Sequence, residues 1–218
     1  IVVCKDTPGF IANRIGVYWL MLALYKAMEL GVTVPQADAV MGKPVGIPKT
    51  GVFGLIDLVG IDLMPKLSAS QLSTLPKDDD YRKIFIDHPF IHDMIKAGYT
   101  GRKGKGGFTR INKDGGKKIK EVIDLKTGEY RAEKKAKLES VDAAKSGLAA
   151  LFVHPDIGGQ YAAAVLLPTL HYAASLIPEI AGDIVAVDRA MRWGYAHKLG
   201  PFEYWDALGF TPTAKRME

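Results

Sequence analysis

One spacing of residues occurs twice in this chain and constrains its fold more than any other feature. Glu29-x8-Asp38-x2-Met41 is followed, ten residues after the methionine, by Gly51-x-Phe53-x3-Asp57-x2-Gly60. Glu179-x8-Asp188-x2-Met191 is followed, nine residues after its methionine, by Gly200-x-Phe202-x3-Asp206-x2-Gly209. So many typed positions in one order over some thirty residues point to an internal duplication rather than coincidence. Each copy is expected to be a helix pair and loop ending in a helix that turns its Phe inward and carries its Asp near the middle. Two such units can bury one another's apolar faces, which gives a mainly α, pseudo-two-fold domain.

The rest of the chain fits that class. Of its 218 residues 48% are hydrophobic, enough for one large or two small helical domains. Apolar residues on nearly every face predict a helix over 11–30, ended by Gly31 and opened by Asp6-Thr7-Pro8 as a cap before a proline. Its most apolar stretch, 17–24, is too short for the roughly 20 residues of a membrane span and reads as a buried core helix. Further helices are expected over 35–41, 52–59, 63–72, 79–86 and 89–97. The period then changes to that of a small β-meander, with strands over 108–111, 118–122 and 129–131 and turns at 113–116 and 126–128. Helical periodicity returns at Ser140 and runs to Leu208, with breaks expected at Pro155, Gly158-Gly159 and Pro178. The implied division is a first repeat over 1–112, a meander and linker over 113–137, and a second, degenerate repeat over 138–218.

Charge is concentrated in one place. The formal net charge is +5, yet residues 102–137 hold 13 Lys and Arg against 5 Asp and Glu, so the remainder is acidic. Such a patch suits any anionic partner. Nucleic-acid binding would need aromatics beside the charge, and only Phe108 and Tyr130 are available. The single cysteine, Cys4, excludes an internal disulfide framework, fits a reducing, cytoplasmic compartment, and is expected to be buried and inert. Ile1 to Cys4, apolar and β-branched, reads as the last strand of a sheet lying upstream or the linker from it. With no initiating Met and no signal peptide, the chain reads as a piece of a longer polypeptide.

The residues also carry a family resemblance. Lys5-Asp6-Thr7-Pro8-Gly9-Phe10-Ile11-Ala12-Asn13-Arg14 resembles the segment that leaves the dinucleotide-binding domain of 3-hydroxyacyl-CoA dehydrogenases and opens their helical C-terminal domain. Both Gly-x-Phe-x3-Asp stretches, Gly101-Arg102-Lys103-Gly104-Lys105-Gly106-Gly107-Phe108, and Met191-Arg192-Trp193-Gly194 are similar to further motifs of that family. The resemblance covers almost the whole chain. It implies NAD-linked oxidation of an L-3-hydroxyacyl-CoA to the 3-ketoacyl-CoA in fatty-acid β-oxidation. The catalytic His and Glu and the Gly-x-Gly-x-x-Gly fingerprint for NAD belong to an upstream domain, so this stretch is expected to bind no cofactor and to be inactive alone. A fused enoyl-CoA hydratase domain is a further implied partner, with 211–218 as the start of a linker to it. The family has a proline five residues beyond its Asn, where this chain has Tyr18 in one copy and Pro168 in the other.

The resemblance assigns to this half the Asn at position 13, beside the catalytic His and the reacting oxygen. A carboxamide suits that place because its NH2 donates to an oxygen becoming a carbonyl without competing for the proton the His takes. An arbitrary Asn near a helix start would sooner satisfy local backbone groups, but the motif context reverses that preference. The repeat register pairs Asn13 with Ala163, which suggests a role specific to the first copy. Arg102, Lys103 and Lys105, among glycines, could combine ammonium groups and backbone amides around a coenzyme A phosphate, or be a solvated turn. His88-x3-His92 has metal-ligand spacing, but Pro89 takes His88 out of a helix and no metal site is expected. Two other readings stay open. One is a dimerisation or scaffold module, monomeric through its internal pseudo-dimer or else a homodimer. The other is the C-terminal half of a related hydroxyacid dehydrogenase.

Overall fold

The computed structural model describes residues 1–113 and 117–217. The centre of the molecule is α1 (Ala12–Leu30), in which nearly every residue from Arg14 to Tyr25 is buried. A helix that is apolar all round must be covered all round. Here α9 (Ile157–Ser175) lies antiparallel along it, so that Arg14 meets Tyr172 near one end and the carbonyl of Ala23 receives the Tyr161 hydroxyl near the other (2.9 Å). α2 (Val34–Val40) and α3 (Gly51–Val59) follow α1. α10 (Ile184–Gly194) and α11 (Pro201–Leu208) follow α9 in the same order. One apolar core runs through both halves.

Between the halves come α4 (Met64–Thr74), α5 (Asp80–Ile84) and α6 (Pro89–Lys96). The meander follows: β1 (Thr109–Asn112), β2 (Ile119–Ile123) and β3 (Tyr130–Ala132), antiparallel in the order 1-2-3. Its register pairs Thr109 with Val122 and Val122 with Arg131. The first expected turn, 113–116, lies largely outside the described residues. Short helices α7 (Glu139–Ala143) and α8 (Leu148–Val153) lead into α9, and α12 (Phe210–Met217) ends the described chain.

Several expectations are corrected. Gly158 and Gly159 do not break a helix but form the first turn of α9, capped by the Asp156 carboxylate, which accepts from the Gly159 amide at 2.9 Å. They are glycines because the preceding segments pack tightly there: a Cβ on Gly159 would run into the His154 carbonyl at the end of α8, and one on Gly158 into the Ser140 side chain of α7. Pro168 sits inside α9 without ending it, and α1 is continuous through Tyr18. Neither Asp6 nor Thr7 caps α1, which is entered instead through a turn at Gly9 (φ 78°) and Phe10 (φ 51°). Cys4 is exposed, because Ile1–Cys4 pairs with no strand among the described residues and is held by the Lys5 amide donating to the Ile180 carbonyl. Residues 210–217 form a docked helix rather than an extended linker, with Thr213 buried and Arg216 donating to the Phe152 carbonyl at 3.2 Å. Phe53 is fully buried, but Phe202 is only half-buried, because Tyr204 takes the inward place and donates to the Val45 carbonyl.

Candidate functional site

Asn13 is the second residue of α1 and is exposed. Its side chain makes no hydrogen bond among the described residues, so it does not serve the helix start. Beneath it the backbone is fixed by its neighbour. Arg14, with a side chain 0% exposed, donates from Nε to the Tyr172 hydroxyl at 2.6 Å, pairs with the buried Asp79 carboxylate, and reaches Glu179 at 3.2 Å. The Tyr172 hydroxyl in turn donates to Asp79 at 3.0 Å, and Asp79 caps α5 by accepting from the Tyr81 amide. Burial alone would lower the Arg14 pKa, but Tyr172 and Asp79 outweigh it and hold the guanidinium above its ordinary value. Three segments distant in sequence are thereby tied under the first turn of α1. Nothing in the local sequence marks Arg14 for this, since its partners lie 65 and 158 residues away.

The turn that leads into Asn13 is apolar and open. Phe10 is 55% exposed and Trp193 62%. Together with Val2, Ile11, Ala12 and Ala190 they line a shallow hollow of about 360 Å³. On the other half, Ala163, the register partner of Asn13, lines a hollow with Pro168, Arg216 and Met217 against α12. The polar side chain is present on the uncovered face and absent from the face beside α12.

The two copies of the repeated spacing build the same joint. Asp38 accepts from the amides of Phe53 (2.7 Å) and Gly54 (3.2 Å), capping α3, and Asp188 accepts from the amide of Phe202 (2.9 Å), capping α11. Gly51 and Gly200 are required because a Cβ at either position would strike the capping aspartate. Burial raises these carboxyls against the hydrogen bonds that lower them, Asp38 to about 7 and Asp188 to about 6.

The copies part at the next aspartate. Asp57 accepts from the amides of Phe108 (2.8 Å) and Thr109 (2.9 Å) while its backbone carbonyl accepts from Arg102, so it clamps the glycine-rich loop. Its pKa is pushed up by burial to about 6. Asp206, its counterpart, is exposed and clamps nothing among the described residues.

The loop after Asp57 differs from expectation in its backbone. The amides of Gly101, Arg102, Gly104, Lys105 and Gly107 all donate within the protein, so they cannot cradle a phosphate. Its cations also diverge. Lys103 pairs with Asp62 at 3.0 Å, and Lys105 donates to the Ala97 carbonyl at the end of α6. Arg102 and Lys105 face a cleft of about 870 Å³ between the loop, the meander and α2–α3, whereas Lys103 does not line it. No residue of α1 lines this cleft, so Asn13 is not part of it. The structure does not bring Asn13 and the basic loop together.

The histidine pair is also separated: His88 caps α6 by accepting from the Phe90 amide, and exposed His92 pairs with Asp87. Among the described residues no group of three His, Cys, Asp or Glu could hold a metal. Phe108 is buried edge-on against Phe53, and Tyr130 is covered by the Arg110 guanidinium at 3.8 Å, so neither offers a free stacking face. Among the described residues no helix is long and apolar enough to cross a membrane.

The chain is similar to known proteins. Residues 9–111 match the family model described as 3-hydroxyacyl-CoA dehydrogenase, C-terminal domain. A protein of Rickettsia felis described as a trifunctional enzyme of a fatty acid oxidation complex is 40% identical over 93% of this chain, and a Bacillus subtilis protein described as a 3-hydroxyacyl-CoA dehydrogenase is 37% identical over 100% of it. The chain spans 28% of the length of each of these relatives. The crystal structure of Escherichia coli 3-hydroxybutyryl-CoA dehydrogenase superposes on 97% of this chain and 55% of its own, with a TM-score of 0.63 at 18% identity, which establishes a shared fold. The chain belongs to the 3-hydroxyacyl-CoA dehydrogenase family, as a C-terminal domain of that enzyme.

Proposed function

We propose that this chain is the substrate-side and assembly half of an enzyme that oxidises L-3-hydroxyacyl-CoA to 3-ketoacyl-CoA with NAD in fatty-acid β-oxidation, in the cytoplasm, and that Asn13 is its contribution to the reacting centre. The observation that carries this is the state of Asn13: exposed, without a hydrogen-bond partner among the described residues, yet followed by the buried Arg14 and preceded by the turn, Phe10 to Ala12, that lines an apolar hollow with Trp193. An amide left free on a rigid turn is pre-organised for a partner that arrives from outside. Its NH2 would donate to the substrate oxygen as that becomes a carbonyl, and its carbonyl would accept from an imidazole on the partner domain.

The residues here do not fit NAD. The glycine-rich loop 101–107 leads into a strand rather than a helix, and its Gly101, Arg102, Gly104, Lys105 and Gly107 amides are occupied, so the cofactor and the hydride step belong to an upstream domain and the chain alone is inactive. The apolar hollow is the face on which that domain would sit. The repeat reads as a duplication, with 1–112 carrying the active-site Asn, 113–137 the basic meander and 138–218 the degenerate copy in place of a second subunit. A fused enoyl-CoA hydratase domain fits the trifunctional description of the Rickettsia relative.

Asn13→Ala in the full-length enzyme tests the reading. Turnover should fall by about 100-fold or more, the range of a lost positioned hydrogen-bonding group, while the melting temperature stays within about 2 °C. Equal losses in both, or unchanged turnover, would remove Asn13 from the reacting centre.

A further inference from the structure

The cleft of about 870 Å³ between the glycine loop, the meander and α2–α3 continues past α2. A second hollow of about 460 Å³ lies between α2, the loop after it and α7, and Asp38, Ala39 and Lys49 line both, so the two form one groove over α2. Four cations along it, Lys43, Lys49, Arg102 and Lys135, form no ion pair with any of the described residues. They come from three segments: the loop between α2 and α3, the glycine loop, and the run from β3 to α7. The acids of the lining are already engaged. Asp38 and Asp57 have their carboxylates turned onto backbone amides, and Glu133 pairs with Lys120. Like charges converging from separate segments repel one another, and an anionic group seated among them offsets that cost.

Apolar side chains lie between the charges. Ile111, 53% exposed, and Ala136 border the first hollow, Val141 and Ala144 the second, and Ala39 stands where they meet. The shape selects among anionic partners. A bilayer is flat and would touch only the rim of a groove, and Phe108 and Tyr130 offer no free stacking face to a nucleobase. An extended polypeptide turns alternate side chains to opposite sides, so apolar ones can enter the floor while carboxylates reach the cations of the rim. We propose that this groove docks an acidic, partly apolar segment of another protein, its carboxylates held by Lys43, Lys49, Arg102 and Lys135. No residue of α1 lines either hollow, so the docking site does not rest on the role given to Asn13.

Fluorescence anisotropy with labelled peptides of about ten residues tests this on the 218-residue chain and on the full-length protein. A peptide alternating Glu and Leu should bind both alike, and one alternating Lys and Leu should bind neither. Lys49→Met or Lys135→Met should weaken binding about tenfold, as for loss of one charge-assisted contact. The double variant should weaken it further, and Lys77→Met, exposed elsewhere, should leave it unchanged. Ile111→Ser should weaken the Glu-Leu peptide about threefold or more while leaving an all-Glu peptide unaffected. Thermal melts of the variants, expected to match the parent, exclude misfolding. The proposal is overturned if the double variant binds the Glu-Leu peptide as the parent does, or if the Lys-Leu peptide binds as tightly. It is equally overturned if the full-length protein binds no peptide, which would mean that its own other domains fill the groove. Phosphatidylserine vesicles bound through Lys49 and Lys135 where the Glu-Leu peptide is not bound would overturn it in favour of a lipid surface.

Discussion

Arg14→Met and Asp79→Ala test the joint beneath Asn13. Arg14 and Asp79 are 0% and 4% exposed, and their groups are bonded to each other and to Tyr172. Removing one partner of a buried pair strands the other charge, which costs about 3–5 kcal/mol. Glu179, 41% exposed at 3.2 Å from Arg14, is solvent-screened and can replace only a small part of that, on the order of 1 kcal/mol or less. Each single variant is therefore expected to lose about 3–5 kcal/mol, a fall in melting temperature of about 6–20 °C for a chain this size. The Arg14→Met/Asp79→Ala double variant strands neither charge and should be clearly more stable than the sum of the singles predicts. Urea denaturation followed by circular dichroism supplies the full double-mutant cycle. Additive losses, or a single-variant loss under about 1 kcal/mol, would refute the claim that this pair is a buried, coupled unit.

Other perturbations separate groups that look alike in sequence. His197 is packed against Trp19 and Tyr195, and burial lowers its pKa to about 4. The folded state therefore holds it neutral: its contribution is complete above the ordinary value near 6.5 and is lost as pH falls towards 4, up to about 3 kcal/mol. His197→Phe should remove that part of the acid sensitivity, read as the difference between variant and parent in denaturation at pH 7.5 and 4.5. The difference is needed because Asp38, Asp57 and Asp188, raised by burial, act oppositely and lose stability as pH rises from about 4 through 6 or 7. Asp57→Ala should cost about 2–4 kcal/mol by leaving the Phe108 and Thr109 amides without an acceptor, whereas Asp206→Ala at the matching position should stay within about 0.5 kcal/mol. Equal effects in chemical denaturation would contradict the asymmetry between the copies.

Much of this fold is legible in the sequence because it rests on local chemistry. The periods of 3.6 and 2 separate helices from the meander, and the repeated Asp-to-Gly spacing corresponds to an aspartate capping the helix that opens at the glycine. What is not legible depends on tertiary approach. A glycine pair before an apolar run reads as a break, and only the packing of α7 and α8 shows why Gly158-Gly159 begins α9 instead. Asp57 and the glycine loop each stand out, but that one clamps the other across fifty-one residues does not. Arg14 reads as a flanking charge until Asp79 and Tyr172 are seen beside it. Asn13 is legible as a candidate through its absence from the second copy, but its freedom from any local bond is a fact of the structure.

The asymmetry between the copies also bears on what the second half does. Along the α1–α9 contact the second half supplies the groups that the first half lacks. The Tyr161 hydroxyl donates to a backbone carbonyl in mid-α1, Tyr172 stacks on Tyr18 with ring centroids 4.1 Å apart, and Tyr172 and Glu179 complete the ring around Arg14. None of these residues faces the hollow beside Asn13; each acts through α1. Tyr172→Phe keeps the stacked ring and deletes only the hydroxyl that bridges Arg14 and Asp79. If the second half steadies the turn that carries Asn13, that variant in the full-length enzyme should lower turnover more than it raises KM, with Asn13 intact. If the second half only completes the core, turnover should follow the melting temperature and both should change little.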